Sequence, residues 1–206
     1  MDLIFDFDGT LFDTYPSMVE SFKVAATKFE LVPDLTVIYH QMRQHSLGYA
    51  IKEYTSKNSI DPIDFRKYYD ESQNVIAIDS KPFSGVPEVL EKVIQQGRKN
   101  FLLTHRDQMS QDILDKNHLE DLFTEMVTSK MKFPRKPDPA SMSYLINKYN
   151  LNKKTTLMVG DRNLDIEVAH NAGIRGVLFD PDHLIDPTSN PDFSITVFDE
   201  LLNIID

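Results

Sequence analysis

Six short apolar runs, residues 3–7, 101–104, 125–128, 156–160, 176–179 and 193–197, are rich in β-branched or aromatic side chains and bounded by polar or turn residues. Such runs extend as strands. Between the later ones, apolar residues recur at helical spacing over 86–96, 108–117, 140–149 and 165–172. Strand and helix in strict alternation restrict a chain to right-handed crossovers and a parallel sheet covered on both faces.

The alternation is broken once. Across residues 15–80 the stripes Met18, Val19, Phe22, Ala26, Phe29, then Val37, Ile38, Met42, then Ala50, Ile51, Tyr54, and then Phe65, Tyr68, Tyr69 all follow helical spacing. A strand is conceivable there only at 75–78. The expected organisation is an α/β core of residues 1–14 and 81–206 with an inserted all-helical cap, 15–80. Six of the seven glycines fall at ends of proposed core elements and only Gly48 lies in the insertion, which agrees with this parsing. In a parallel sheet the segment after a strand leaves from the carboxyl edge, where ligands bind, so the insertion is expected over the site.

The net charge of −10 disfavours nucleic acid and anionic membrane surfaces as partners. No cysteine is present, which excludes disulfides, thiolate metal sites and cysteine nucleophiles. With no basic, apolar leader and no run near the ~18 apolar residues of a membrane span, a cytoplasmic location is expected.

Asp6, Phe7, Asp8, Gly9 and Thr10 stand where the first strand ends. Carboxylates at i and i+2 of an extended chain project to one side. At an effective dielectric of ~20, two such charges about 4 Å apart repel by roughly 4 kcal/mol, so the pair needs a cation, a shared proton or solvent. Gly9 lets the backbone turn and approach a ligand.

Further polar groups end the other strands on the same edge. They are Thr104, then Lys136 in a proline-flanked loop (Pro134, Arg135, Pro137, Asp138, Pro139), then Gly160 and Asp161, with Asp165 one helical turn on. Singly, each has an ordinary explanation as a cap, a solvated lysine or a helix N-terminal acid. Together they fit phosphoryl transfer through an aspartyl phosphate. Asp6 is the expected nucleophile and Asp8 the acid and base, while Lys136 offsets phosphoryl charge and Thr104 donates a hydrogen bond. Hard oxygen ligands from Asp6, Asp8 (through its main-chain carbonyl), Asp161 and Asp165 suit Mg²⁺.

This order of motifs, with a helical insertion directly after the first, resembles the haloacid dehalogenase superfamily, and within it the helical-capped phosphoglycolate phosphatase and β-phosphoglucomutase group. The resemblance covers nearly the whole chain. It implies a Rossmann-like sheet of strand order 5-4-1-2-3 sandwiched by helices, with Gly9, Thr10 and Gly48 meeting the substrate; His105 and Arg106, directly after Thr104, either meet a substrate anion or are solvated residues at a helix start. Gly48, with Arg43, His45, Ser46 and Leu47, resembles the cap's specificity loop, although an interhelical turn explains it equally well. Asp13 resembles the acid ending the flap after the first motif, or caps the following helix.

The expected activity is Mg²⁺-dependent hydrolysis of a small phosphorylated metabolite by a monomer or homodimer. A dehalogenase would not need Asp8. A phosphosugar mutase shares all four motifs, and a non-catalytic regulatory protein would keep the fold without turnover. Lys130, Lys132, Arg135 and Lys136 lie close together with no acid among them, where a substrate phosphate would arrive.

Overall fold

A computed structural model describes residues 1–205. In chain order the elements are β1 (Asp2–Phe5), β2 (Phe12–Asp13), α1 (Tyr15–Thr27), α2 (Leu35–Gln44), α3 (Leu47–Asn58), α4 (Pro62–Ile76), β3 (Lys81–Pro82), α5 (Val86–Gln95), β4 (Asn100–Leu103), α6 (Gln108–Lys116), β5 (Glu125–Val127), α7 (Ala140–Tyr149), β6 (Thr156–Gly160), α8 (Asn163–Ala172), β7 (Arg175–Phe179), β8 (Phe193–Ile195) and α9 (Asp199–Ile205), with short 3₁₀ turns between some of them. Two compact units result, residues 1–13 with 81–205, and Thr14–Ser80.

The first unit is built on a parallel sheet of order β5-β4-β1-β6-β7-β8. Counted along the sheet's own strands and read from β7, the first five follow the expected 5-4-1-2-3, and β8 adds a sixth at the edge. β2 and β3 form a separate antiparallel pair that the apolar patterning does not reveal. Strand periodicity of two sends Ile4, Phe101, Leu103 and Met158 into one core with Met142, Leu145 and Ile146 of α7 and Val168, Ala169 and Ala172 of α8. On the opposite face Phe5 meets Phe198, and Phe179 packs edge-on against both Phe198 and Phe83. Asn100, fully buried on β4, donates to Leu90 O at 2.9 Å and Leu122 O at 3.1 Å, tying α5 to the loop before β5.

The second unit is a four-helix assembly around Phe22, Ala26, Met42, Ala50, Ile51, Phe65 and Tyr69, the residues of the helical stripes. Aromatic rings interlock at its centre, Phe22 with Phe65 at 4.8 Å and with Tyr54 at 5.1 Å. Asp34, Ser46 and Asp61 cap α2, α3 and α4 by accepting from backbone N–H groups of their first turns, which places the starts of three helices by local chemistry. Residues 75–78 are not a strand. Val75 and Ile76 finish α4 and the chain continues as a 3₁₀ turn; Val75 faces solvent, while Ala77, four residues after Gln73, keeps the buried face of that helix going.

Candidate active site

The first unit's strands deliver the polar residues of the sequence motifs to one edge. Beyond β1, Asp6 keeps sheet register by donating its N–H to Val159 O at 2.9 Å. The chain then turns tightly, with Phe7 O accepting from the N–H groups of Leu11 and Phe12, both at 3.1 Å. Gly9 sits at φ +71°, a conformation that side-chain-bearing residues rarely adopt. Thr10 is fully buried in this turn.

From β6, Gly160 and Asp161 lead into α8. A Cβ on Gly160 would lie 2.2 Å from Asp165 Cβ and 2.5 Å from its Cγ. Glycine here lets the Asp165 side chain lie against the strand end. Asp165 is held there from two sides, by Arg162 N–H at 3.3 Å and by the Lys136 ammonium at 2.7 Å.

Lys136, buried at the end of its loop, also donates to Asp6 Oδ1 at 2.6 Å. Oxygens of Asp6, Asp161 and Asp165 lie within 4.8 Å of one another, and all three residues are buried. Three carboxylates face two cations, the Lys136 ammonium between Asp6 and Asp165 and the Arg162 guanidinium 3.8 Å from Asp161, so negative charge is still in excess out of water. Burial, reinforced by Asp165 and Asp161 against the pull of Lys136, pushes the Asp6 carboxyl up to about 7. Burial alone would lower the Lys136 ammonium, but attraction from Asp165 and Asp6 outweighs it and holds the group above its ordinary value. An all-oxygen, buried, anionic donor set suits a hard divalent cation such as Mg²⁺, and it lacks the nitrogen and sulfur ligands typical of zinc sites.

The Asp8 carboxylate lies outside this group of three. Arg106 grips it, Nη2 to Oδ1 at 2.6 Å and Nε to Oδ2 at 3.1 Å. Thr104, buried directly after β4, donates its N–H to Val127 O and accepts the Arg106 N–H on Oγ1 at 3.1 Å, so its hydroxyl proton remains to be given to a ligand. His105 Nε2 accepts the Lys136 backbone N–H at 2.9 Å. Burial, aided by the charges of Lys136 and Arg135, lowers this imidazole to about 4, so near neutrality it is uncharged with its proton on Nδ1. The expectation that His105 and Arg106 meet a substrate anion thus encounters protein partners for both.

Gly48 belongs to the second unit, exposed in the first turn of α3, whose N-cap Ser46 accepts the Tyr49 N–H. Asp13 lies on β2 opposite Lys81, and the cap position of α1 is Thr14. No sequence signal marked the Arg106–Asp8 and His105–Lys136 contacts, since each joins residues far apart in the chain.

A family model described as haloacid dehalogenase-like hydrolase matches residues 3–179. A phosphoglycolate phosphatase of Haemophilus influenzae is 28% identical over 98% of this chain and 96% of its own length. Among solved structures, one described as a predicted phosphoglycolate phosphatase from Haemophilus somnus is 26% identical with a TM-score of 0.83, covering 100% of this chain and 97% of that one. A hydrolase from Streptococcus pneumoniae is 33% identical with a TM-score of 0.67, covering 86% and 91%. The sheet, the strand-end carboxylates and these similarities agree that the chain belongs to the haloacid dehalogenase-like hydrolase family.

Proposed function

We propose that the chain hydrolyses a small phosphomonoester through a phosphorylated Asp6, with Mg²⁺ as cofactor. That it is a phosphoric monoester hydrolase follows from its family and its phosphatase relatives. The observation that carries the finer reading is the buried group of Asp6, Asp161 and Asp165 around Lys136 at the sheet edge, with Asp8 two residues from Asp6.

Asp6, Asp161 and Asp165 would hold the cation, which when bound supplies charge neutralisation at the substrate's phosphoryl oxygens. Asp6 attacks phosphorus in line, forming the acyl-phosphate bond as the ester oxygen leaves. Asp8 gives that oxygen a proton, then takes one from the water that attacks the acyl phosphate, and inorganic phosphate and free Asp6 result. Lys136 stabilises charge on the phosphoryl oxygens and holds Asp6 in place. Thr104 donates its hydroxyl proton to a phosphoryl oxygen.

The relatives' names make 2-phosphoglycolate the first substrate to test. Phosphate release should require Mg²⁺, stop on chelation, and vanish in Asp6→Asn. Turnover that survives in Asp6→Asn would refute the nucleophile assignment. Conversion of glucose 1-phosphate to glucose 6-phosphate with little phosphate released would replace hydrolysis by mutase chemistry.

A further inference from the structure

We propose that Arg106 is a positioning residue that fixes the orientation of the Asp8 carboxylate for proton transfer, an inference that rests on Asp8 serving as the acid and base. The grip is two-pronged, with adjacent guanidinium nitrogens each reaching a different oxygen of one carboxylate at 3.1 and 2.6 Å. A planar fork meeting a planar carboxylate fixes the carboxylate's plane as well as its place, which a point charge cannot do.

Arg106 is itself held. Its N–H donates to Thr104 Oγ1, its carbonyl accepts from Ser129 N–H at 3.1 Å, and its guanidinium carbon lies 5.8 Å from the centre of the Phe7 ring. The Arg106 side chain is 12% exposed and that of Asp8 27%, so the pair is partly withdrawn from water while the carboxylate stays reachable. Asp8 follows Phe7 directly and precedes the sharp turn at Gly9, which leaves side-chain rotation as its main local freedom. Arg106 removes that freedom from a position two residues past Thr104. The tripeptide after β4 therefore acts on three groups at once: Thr104 presents a hydroxyl, His105 holds the Lys136 backbone and Arg106 aims Asp8.

The test uses leaving groups. Expelling an alkoxide needs a well-placed proton, whereas a nitrophenolate departs without one. In Arg106→Met, kcat/KM on an alkyl ester such as 2-phosphoglycolate, which reports the steps up to departure of the leaving group and not the later hydrolysis that both esters share, should fall by about 100-fold, the loss expected when a catalytic group is displaced by about 1 Å. On p-nitrophenyl phosphate the fall should be several-fold at most. The ratio of the two kcat/KM values, measured in one preparation, is unaffected by the fraction of protein that is folded. Arg106→Lys keeps the charge and loses the fork, so it should show the same skewed ratio.

Equal losses on both esters in Arg106→Met, or a wild-type ratio in Arg106→Lys, would overturn the positioning role. Asp8→Asn serves as the control for the underlying reading. If it too fails to lose kcat/KM selectively on the alkyl ester, the acid assignment is wrong and the Arg106 proposal falls with it. A selective loss in Asp8→Asn with none in Arg106→Met refutes the Arg106 proposal alone.

Discussion

Replacing Lys136 by Met keeps an unbranched side chain and removes the one ammonium that touches both Asp6 and Asp165, at 2.6 and 2.7 Å. Asp6 and Asp165 lose the ammonium they shared and stay buried beside Asp161, which keeps the Arg162 guanidinium at 3.8 Å. Removing one partner of a buried ion pair typically costs about 3–5 kcal/mol, because the other charge is left without compensation. In a chain of this size ~1 kcal/mol moves the melting temperature by about 2–4 °C, so in EDTA the variant should melt about 6–20 °C below the wild type. Mg²⁺ should recover a larger share in the variant, where the cation meets one more unit of uncompensated negative charge. At about 100 times its dissociation constant a ligand adds ~2.7 kcal/mol. Thermal melts of both proteins with and without Mg²⁺ give all four numbers. A variant that melts within about 2 °C of the wild type in EDTA, or an equal Mg²⁺ response in the two proteins, would refute the picture of a charge-strained cluster held by Lys136.

Gly160→Ala places a Cβ 2.2 Å from that of Asp165, so activity should be lost and stability should drop by ~1–3 kcal/mol, read by urea midpoint; wild-type turnover would show that Asp165 need not sit against the strand. Asn100→Ala removes the side-chain hydrogen bonds to Leu90 O and Leu122 O and should cost about 1–3 kcal/mol of unfolding free energy with no selective effect on kcat. His105 is lowered from 6.5 to about 4, so the unfolded chain binds more protons between those values and the His105 contribution is present above pH 6.5 and lost as pH falls toward 4. The stability gap between wild type and His105→Gln, from urea midpoints, should therefore narrow between pH 7.5 and pH 4.5, and a widening gap would contradict the sign. Asp6, raised to about 7, works in the opposite direction: in metal-free protein its contribution to stability should rise as pH falls from about 7 to 4, which a comparison with Asp6→Asn in EDTA would detect.

The alternation of apolar strands with amphipathic helices made the parallel sheet legible, because each element's burial leaves a period in the sequence. The site was legible where function is tied to strand ends: Asp6, Thr104, Asp161 and Lys136 each follow a strand or its loop. What escaped was what the period does not encode. β2 and β3, two residues each, are too short to show alternation. Residues 75–78 were ambiguous since a four-residue apolar run suits either a strand or a helix end. Arg106 is legible as a residue beside the phosphate site or a solvated helix-start residue but not as the partner of Asp8, because its long side chain crosses to a residue 98 positions away and no local pattern records such a reach. His105 was legible as a residue near the phosphate site but not as an acceptor for the Lys136 backbone, which depends on how the proline-flanked loop folds back.

The antiparallel pairing of Phe12 with Pro82 and Asp13 with Lys81 has a consequence for how such a chain can change. Traced along the backbone, β2 and β3 are the two arms of a hairpin, and its turn is the 67-residue helical unit, residues 14–80. The arms are held one strand spacing apart, ~4.8 Å, whatever fills the gap between them. Closure entropy grows slowly, by about 0.6 kcal/mol for each doubling of a flexible loop. The hairpin is therefore a socket: a tight Asn-Gly turn, a shorter helical pair or a different folded unit can occupy it while Asp6 and Asp8, anchored by β1 and its neighbours, keep their places. The residues that handle the phosphoryl group and those of the inserted unit are thus free to evolve on separate schedules.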